Sequence, residues 1–324
     1  MWIKLSCYSA LGWLLKANIM NTVTFLNGEL TIQELQSILK KDYSDNSLVS
    51  FKNDWVNFVH FCQLHQVNAL PASTTAIRIF IEKQAKEKKM SSIRRSLISI
   101  SHIHIAFEFK DPTKNAQVKA SLGSIRLAKK DDSKQTEGIT SQMLKKLEYQ
   151  LSESVELKDI RDLAIWHLMF ELLLKRGELR DLKVTDVSFN DEGLGLIKMK
   201  EYYYPLSIKI SQLLTRWLEA SQILEGYLFR SMDRHENLSL NHLNDSSIYR
   251  IFRRANILLN HTVNFSGLSA RVGATKELSK KGYSIQEIQE MGRWISPAMP
   301  NQYIGQTKRS EEQKKIFQTK KSPI

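Results

Sequence analysis

The sequence is poor in cysteine, proline and glycine, and it lacks a long apolar run. Only 2 Cys, 6 Pro and 13 Gly occur among its 324 residues. Cys7 and Cys62 form no Cys-x-x-Cys pair, so we expect neither a disulfide framework nor a zinc site. The apolar stretch in the first 19 residues is interrupted by Lys4 and Lys16 and is too short to cross a membrane. The composition is therefore typical of a folded protein without membrane spans, and we expect a cytoplasmic location.

Negative charge is also scarce relative to positive charge. The chain has 47 Lys and Arg against 34 Asp and Glu, which gives a formal net charge of +13. Such an excess favours a polyanionic partner, because each cation placed against a phosphate releases a condensed counterion. The alternative is an ordinary basic surface, since many proteins of this size are basic without binding nucleic acid. Charge alone therefore leaves both interpretations open.

The first half of the chain is predicted to form a helical domain at residues 28–126, after an extension of unknown role at residues 1–27. The apolar spacing over 47–66 and a capping residue at Ser73 or Thr74 indicate its first two helices. Basic residues end the second helix and begin the third, forming one cationic edge. This edge is either a DNA-contacting surface or a solvated one, and its residues are Lys86, Lys88, Lys89, Arg94 and Arg95.

Residues 127–138 are polar, lack apolar periodicity and are predicted to link this domain to a second one at residues 139–324. An almost entirely apolar helix over 158–175 is expected at the centre of the second domain. We predict short strands within 184–189, 193–200 and 202–208, and helices over 210–222, 244–257, 266–281 and 284–291. The predicted fold is mainly α, with an N-terminal helical domain and a C-terminal α+β domain that contains a small antiparallel sheet.

Two segments of the second domain carry a recognisable motif. Arg271 is followed by Gly292–Arg293–Trp294, and Tyr303 lies nine residues beyond Trp294; upstream, residues 174–179 read LKRGEL. These features resemble the tyrosine site-specific recombinases. That family has a His-x-x-Arg helix, a Gly-Gly-Trp or Gly-His turn, a tyrosine nine residues after the Trp, and a first box of Arg-x-x-Glu before a strand. The resemblance implies duplex DNA as partner, a tetramer on two DNA sites, and no small-molecule cofactor or membrane.

The resemblance also implies a role for each motif residue. Tyr303 would be the nucleophile that forms a 3′-phosphotyrosine, since covalent catalysis preserves the phosphodiester energy for rejoining. Arg271 would grip the scissile phosphate with its planar fork, Trp294 would complete the phosphate pocket, and Glu178 would support the site. A lysine of a β-hairpin would protonate the leaving oxygen. Lys200 is the first candidate for that lysine and Lys198 the second; the two are expected to share a strand face.

Two positions depart from the family pattern. Lys175 stands where the first box has arginine, so the charge is kept but the bidentate fork is lost. Arg176 would lie about 100° further round if the helix continued to it, so it cannot replace Lys175 without a local shift. Leu268 stands where the family has histidine and offers no donor. Losing one donor to a transition-state oxyanion typically costs ~10²–10³ in rate.

Three hypotheses about function therefore remain open at the level of sequence. The first is an active recombinase, and the second is a DNA-binding accessory relative with little or no cleavage. The third is a helical module whose basic surface meets an acidic protein. For the first two, DNA contacts are expected from both domains, including the basic helix end with Arg250, Arg253 and Arg254. The tail after Tyr303 would form a helix that uses Ile316 and Phe317 to pack on a neighbouring protomer.

Overall fold

The computed structural model describes residues 24–39, 42–129 and 136–321, with side chains up to residue 317. Predictions that concern residues 1–23, including Cys7, and the middle of the linker lie outside the described residues. The chain divides into two compact units, Met1–Lys134 and Gln135–Ile324. Within the described ranges, no helix is long and apolar enough to cross a membrane.

The first unit is helical throughout its described part. Its helices are α1 (Ile32–Ile38), α2 (Asp45–Leu64), α3 (Thr74–Glu87), α4 (Met90–Ala106) and α5 (Ala116–Ala128), with a short 3-10 helix at Pro112–Lys114. The side chain of Ser73 caps α3 by accepting a hydrogen bond from the Ala76 N–H. Ser73 is one of the two capping residues that the sequence predicts. Serine is favoured at an N-cap because its hydroxyl oxygen accepts a hydrogen bond from a helical N–H that would otherwise be unpaired.

The core of the first unit begins earlier in the chain than predicted. Residues 24–27 are helical, and Phe25 is fully buried in the same core as Trp55 and Phe58. The indole Nε1–H of Trp55 donates to the Phe25 carbonyl at 2.9 Å. The boundary at residue 28 is therefore too late. A single turn of helix is too short to show the periodicity on which the prediction depends.

A buried carboxylate ties α2 to α4. Asp54 is only 4% exposed, and the guanidinium of Arg95 donates to both of its oxygens, at 2.7 and 3.0 Å. The hydroxyl of Ser99 lies 3.3 Å from the same carboxylate. Because a buried carboxylate without partners is costly, Arg95 has a structural role in the first unit. Both Arg94 and Arg95 are exposed, but among the described residues only Arg95 is paired with Asp54.

The second unit contains the helices and strands that carry the recombinase-like motifs. Its helices are α6 (Ser141–Leu151), α7 (Leu157–Glu171), α8 (Arg176–Asp181), α9 (Ile208–Ser221), α10 (Asp245–Leu258), α11 (Ser269–Lys280), α12 (Ile285–Met291), α13 (Ala298–Tyr303) and α14 (Thr307–Lys321). Its strands are β1 (Val187–Phe189), β2 (Gly195–Met199), β3 (Tyr202–Pro205), β4 (Arg230–Met232) and β5 (Leu238–His242). The predicted fold class is confirmed.

Helix α7 occupies the centre of this unit, as its apolar composition predicts. Every residue from Asp159 to Met169 is buried, and α7 packs against α6, α9 and α11. The helix ends at Glu171, earlier than predicted, because Leu173 adopts a left-handed conformation with φ +47°. Neither Lys175 nor Arg176 therefore continues α7. Arg176 is the first residue of α8, after Lys175 as the N-cap, so the predicted angular separation does not apply.

The small sheet is antiparallel, with the strand order β1-β2-β3. Met199 pairs with Tyr202, which leaves Lys200 and Glu201 as a two-residue turn. Lys200 has φ +56°, as turns of this kind require. The prediction that Lys198 and Lys200 share a strand face is therefore wrong, since Lys198 lies on β2 and Lys200 in the turn. Strands β4 and β5 form a separate antiparallel hairpin.

Replacement of Arg95 by alanine is expected to destabilise the first unit by about 1–3 kcal/mol, because Asp54 would stay buried and lose its charged partner. Hydrogen exchange of the α2 and α4 amides measures this change within the unit. Arg94→Ala is the matched control, because Arg94 is exposed and no ion pair of its side chain is found in the described part of the chain. Equal protection in both variants would contradict the structural role of Arg95.

Candidate active site

The first part of the site is the turn between α7 and α8. The backbone N–H of Lys175 donates to Glu178 Oε2 at 2.8 Å, which caps the start of α8. The ammonium of Lys175 lies 3.2 Å from Glu178 Oε1. Burial opposes ionisation of Glu178, yet hydrogen bonds from Arg293 and from the Lys175 N–H hold its pKa below the ordinary value. Glu178 is therefore a carboxylate anion next to the lysine that replaces the first-box arginine.

Arg271 connects this turn to the turn after α12. It lies on α11 and is 3% exposed. Its Nη1 donates to the Leu173 carbonyl at 2.7 Å, and its Nη2 donates to the Gly292 carbonyl. The guanidinium carbon lies 3.9 Å from the centre of the Trp294 ring, a cation–π contact. Burial lowers the pKa of Arg271 to about 10, so the side chain stays cationic at neutral pH.

Trp294 also contacts Tyr303, the residue at the end of α13. The two rings meet edge to face, with their centroids 6.0 Å apart. Tyr303 is 5% exposed. Burial raises the pKa of its phenol, and the positive charge of Arg271 opposes that shift. The phenol, the indole and the guanidinium are therefore held in one packed group.

These side chains line one cavity of about 470 Å³. Its wall consists of Leu174, Lys175, Arg176, Ser266, Gly267, Leu268, Arg271, Trp294 and Tyr303. Five of the predicted catalytic residues, together with the departing Leu268, are thus brought to one place. Glu178 does not line the cavity, but its carboxylate contacts the Lys175 ammonium. Lys198 and Lys200 are not part of the lining, and Lys198 lies over the Tyr203 ring, with Nζ 5.7 Å from its centre.

The comparisons with known proteins agree with this geometry. Residues 137–310 match the model of the phage integrase family, which is more than half of the chain. The chain belongs to the phage integrase family. It is a tyrosine recombinase by descent, as the motifs predict, and the match covers both motif segments of the second unit.

Individual relatives extend the similarity into the first unit. The chain is 27% identical over 298 residues to an integrase/recombinase XerD homolog of Selenomonas ruminantium, with 86% of this chain and 87% of that protein covered. It is 23% identical to the recombinase Cre of Escherichia phage P1, with 79% and 82% covered. A crystal structure of the XerH recombinase on difH DNA has a TM-score of 0.58 at 14% identity and covers 89% of this chain and 83% of that one.

Arg176 and Leu268 are two further residues of the cavity wall. Arg176 lies 3.9 Å from Asp245 of α10, and Gly267 allows its stem to pass, since a Cβ at 267 would lie 2.6 Å from Arg176 Cδ. Leu268 is 36% exposed at the start of α11. Its side chain brings an apolar surface to the position where the family has an imidazole. Ser266 and Gly267 were not foreseen, because they belong to no catalytic motif.

Arg293 is a residue of the site to which the sequence motifs assign no role. It sits between the two residues of the Gly-Trp turn and contacts Glu178 at 3.0 Å through Nη2. It also donates to the carbonyls of Leu172 and Leu173. A signal was present in the sequence, since the family turn is Gly-Gly-Trp and this chain has arginine at the second glycine.

The predicted DNA-binding residues fall into two classes. Those that are exposed and form no ion pair among the described residues are Lys86, Lys88, Lys89, Arg94 and Arg250, whereas Arg95 is exposed but paired. Arg95 is bound to Asp54, and Arg254 is bound to Asp159 and Asp162 inside the second unit. Arg253 is partly buried, and its Nη1 has no hydrogen-bond partner among the described residues. The ion pairs of Arg95 and Arg254 hold helices together, so each of these two arginines has a structural role; Arg95 is 48% exposed and Arg254 22% exposed.

Gly292→Ala is expected to disturb the site and to destabilise the second unit by about 1–3 kcal/mol, as overpacking does. The reason is steric, because a Cβ at position 292 would lie 1.8 Å from Cζ3 of Trp294. Thermal unfolding measures the change. Gly123→Ala is the control, since no atom lies within 4 Å of its added Cβ and alanine favours a helix. An alanine at 292 that is tolerated as well as one at 123 would refute the close approach.

Proposed function

We propose that this chain is a site-specific DNA recombinase that cuts and rejoins duplex DNA through a 3′-phosphotyrosine at Tyr303. One observation carries the proposal: the phenol of Tyr303, the guanidinium of Arg271 and the ammonium of Lys175 line the same cavity. A phosphodiester placed there would meet a nucleophile and two cations at once. This combination suits a phosphorane transition state, which gains negative charge on its non-bridging oxygens.

The proposed cleavage step follows from these positions. The Tyr303 oxygen attacks the scissile phosphorus, the new Tyr–O–P bond forms, and the bond from phosphorus to the 5′ oxygen breaks. The phenol loses its proton, and the departing 5′ oxygen gains one from a general acid. Rejoining reverses the step with a 5′ hydroxyl of another strand, so the phosphodiester energy is conserved.

The other residues take supporting roles in this proposal. Arg271 and Lys175 bind the non-bridging oxygens. Trp294 packs against the Arg271 guanidinium, and its indole N–H would donate to the phosphate. Arg176 is a further cation of the wall. Lys200 is the proposed general acid, with Lys198 as the alternative; the hairpin between β2 and β3 carries both. The hairpin would have to bring one of them to the 5′ oxygen when DNA is bound.

The DNA partner and the assembly are part of the same proposal. Lambda integrase, a structural neighbour with a TM-score of 0.55, was crystallised as a tetramer on a Holliday junction. We propose duplex DNA as the partner of this chain, contacted by Lys86, Lys88, Lys89, Arg94 and Arg250, with a homotetramer on two sites. The first unit would be a core-binding domain. Helix α14 would pack on a neighbouring protomer through Ile316 and Phe317, of which Ile316 is 48% exposed.

A covalent trap tests the proposed chemistry. The chain is incubated with nicked duplexes that have a randomised core, so that the 5′ fragment diffuses away after cleavage. We expect a protein–DNA adduct with the native chain and none with Tyr303→Phe. Tyr283→Phe is the matched control, because Tyr283 is an exposed tyrosine of the same unit and its loss should leave the adduct unchanged. An adduct that persists in the Tyr303 variant would overturn the proposal.

The second candidate is a DNA-binding accessory protein with little cleavage, and the cavity wall itself motivates it. Leu268 supplies no donor, and the Lys175 ammonium is engaged by Glu178. In that case Lys175→Arg combined with Leu268→His should raise single-turnover cleavage by about 10² or more. Cleavage by the native chain that is as fast as in the double variant would reject the accessory role.

A further inference from the structure

Position 293 holds an arginine in a backbone conformation that favours glycine. Arg293 has φ +54°, and it follows Gly292 in the turn that leads to Trp294. A side chain with a Cβ is disfavoured there. A residue kept in such a conformation needs compensating contacts from its surroundings. The question is therefore what the guanidinium of Arg293 contributes.

The guanidinium of Arg293 joins three parts of the second unit. Its Nη2 and Nε lie 3.0 and 3.3 Å from the two oxygens of Glu178. Its Nη2 also lies 2.9 Å from the Leu172 carbonyl, and its Nη1 donates to the Met291 carbonyl at 3.0 Å. The guanidinium carbon is 5.2 Å from the centre of the Tyr204 ring on β3. Arg293 is thus the main partner of Glu178.

Glu178 is shared between Arg293 and Lys175, and the two pairs differ in burial. The side chains of Arg293 and Glu178 are 19% and 23% exposed, whereas that of Lys175 is 52% exposed. The guanidinium of Arg293 therefore meets the carboxylate in a less exposed environment than the Lys175 ammonium does, and close charges attract more strongly there. Without Arg293, the only cation in contact with Glu178 among the described residues would be Lys175.

We propose that Arg293 is a positioning residue that neutralises Glu178 and so weakens the hold of this carboxylate on the Lys175 ammonium, which can then bind the scissile phosphate. The arginine then compensates for the guanidinium that position 175 lacks. With Arg293 present, the carboxylate is shared, because Arg293 donates two hydrogen bonds to it and the Lys175 ammonium lies 3.2 Å from one of its oxygens. Two cations then face one anion, so one positive charge remains in excess beside Arg271. This inference rests on the proposed function and adds the reason why a lysine can act at position 175.

A double-mutant cycle on cleavage separates this role from simple packing. In Arg293→Gly, Lys175 is left as the counterion of Glu178 and is held more strongly by it, so single-turnover cleavage of the nicked duplex should fall by about tenfold or more. Glu178→Gln keeps an acceptor for the Lys175 N–H but removes the negative charge. Adding Arg293→Gly to Glu178→Gln should therefore change the rate less than threefold. If Arg293→Gly slows cleavage equally in both backgrounds, the charge role is refuted.

A second measurement keeps the inference testable without catalysis. Inorganic phosphate is titrated into the native chain, and the Trp294 indole N–H resonance, assigned with a Trp294→Phe sample, reports occupancy of the cavity. We expect weaker phosphate binding in Arg293→Gly and recovery in the Glu178→Gln, Arg293→Gly double variant. Unchanged phosphate affinity in Arg293→Gly refutes the inference even if the native chain forms no adduct.

A glycine at another left-handed residue is the control for the change in backbone conformation. Glycine at 293 relieves the left-handed conformation, and so does Gln66→Gly in the first unit, where Gln66 is exposed with φ +53°. Gln66→Gly should leave cleavage and phosphate binding unchanged. If Arg293→Gly lowers neither property while the native chain forms the Tyr303 adduct, the inference fails and the proposed function stands. If no adduct forms and phosphate binding still responds as expected, the proposed function fails and the inference about Arg293 stands.

Discussion

The arrangement of the second unit depends on how one buried guanidinium is satisfied. Arg271 is removed from water, and its cost of burial is offset by the carbonyls of Leu173 and Gly292 and by the face of Trp294. These partners belong to two different turns. The left-handed Leu173 aims its carbonyl inward, and Gly292 has no side chain to keep the Trp294 ring away. The turn before α8 and the turn after α12 therefore meet at Arg271, and the cavity is the space that they enclose with α11.

Anchoring by carbonyls also explains why this arginine can serve an anionic ligand. Two carbonyls use one N–H each, and a guanidinium has five N–H donors, so Arg271 keeps donors for a ligand. A carboxylate partner would instead neutralise the charge. The one carboxylate nearby, Glu178, is turned toward Lys175 and Arg293 rather than bonded to Arg271. The charge of the cavity thus depends on how the Glu178 carboxylate is shared between Lys175 and Arg293. Arg293 is the less exposed of these two cations and therefore attracts the carboxylate more strongly.

Much of this could be predicted from sequence, and the failures have identifiable causes. Helix α7 was placed correctly because its apolar residues continue around the whole helix. Its end was missed because Leu173, which breaks it, is a good helix former and carries no local signal. Lys200 was placed on a strand because a lysine at positive φ is rare. Arg95 and Arg254 were grouped with exposed cations, since a one-dimensional pattern does not show that Asp54, Asp159 and Asp162 lie beside them.

The departures at positions 175 and 268 have unequal consequences in this geometry. A lysine ammonium still supplies a charge at the cavity wall, and its strength depends on the competing carboxylate, which a neighbouring cation can neutralise. A leucine supplies nothing that a neighbour can restore by charge balance, because the missing part is a directed donor. Trp294 is a neutral donor of the wall, and its ring is already fixed by Arg271 and Tyr303. For the proposed reaction, we therefore expect the loss at 268 to lower the rate more than the change at 175 does.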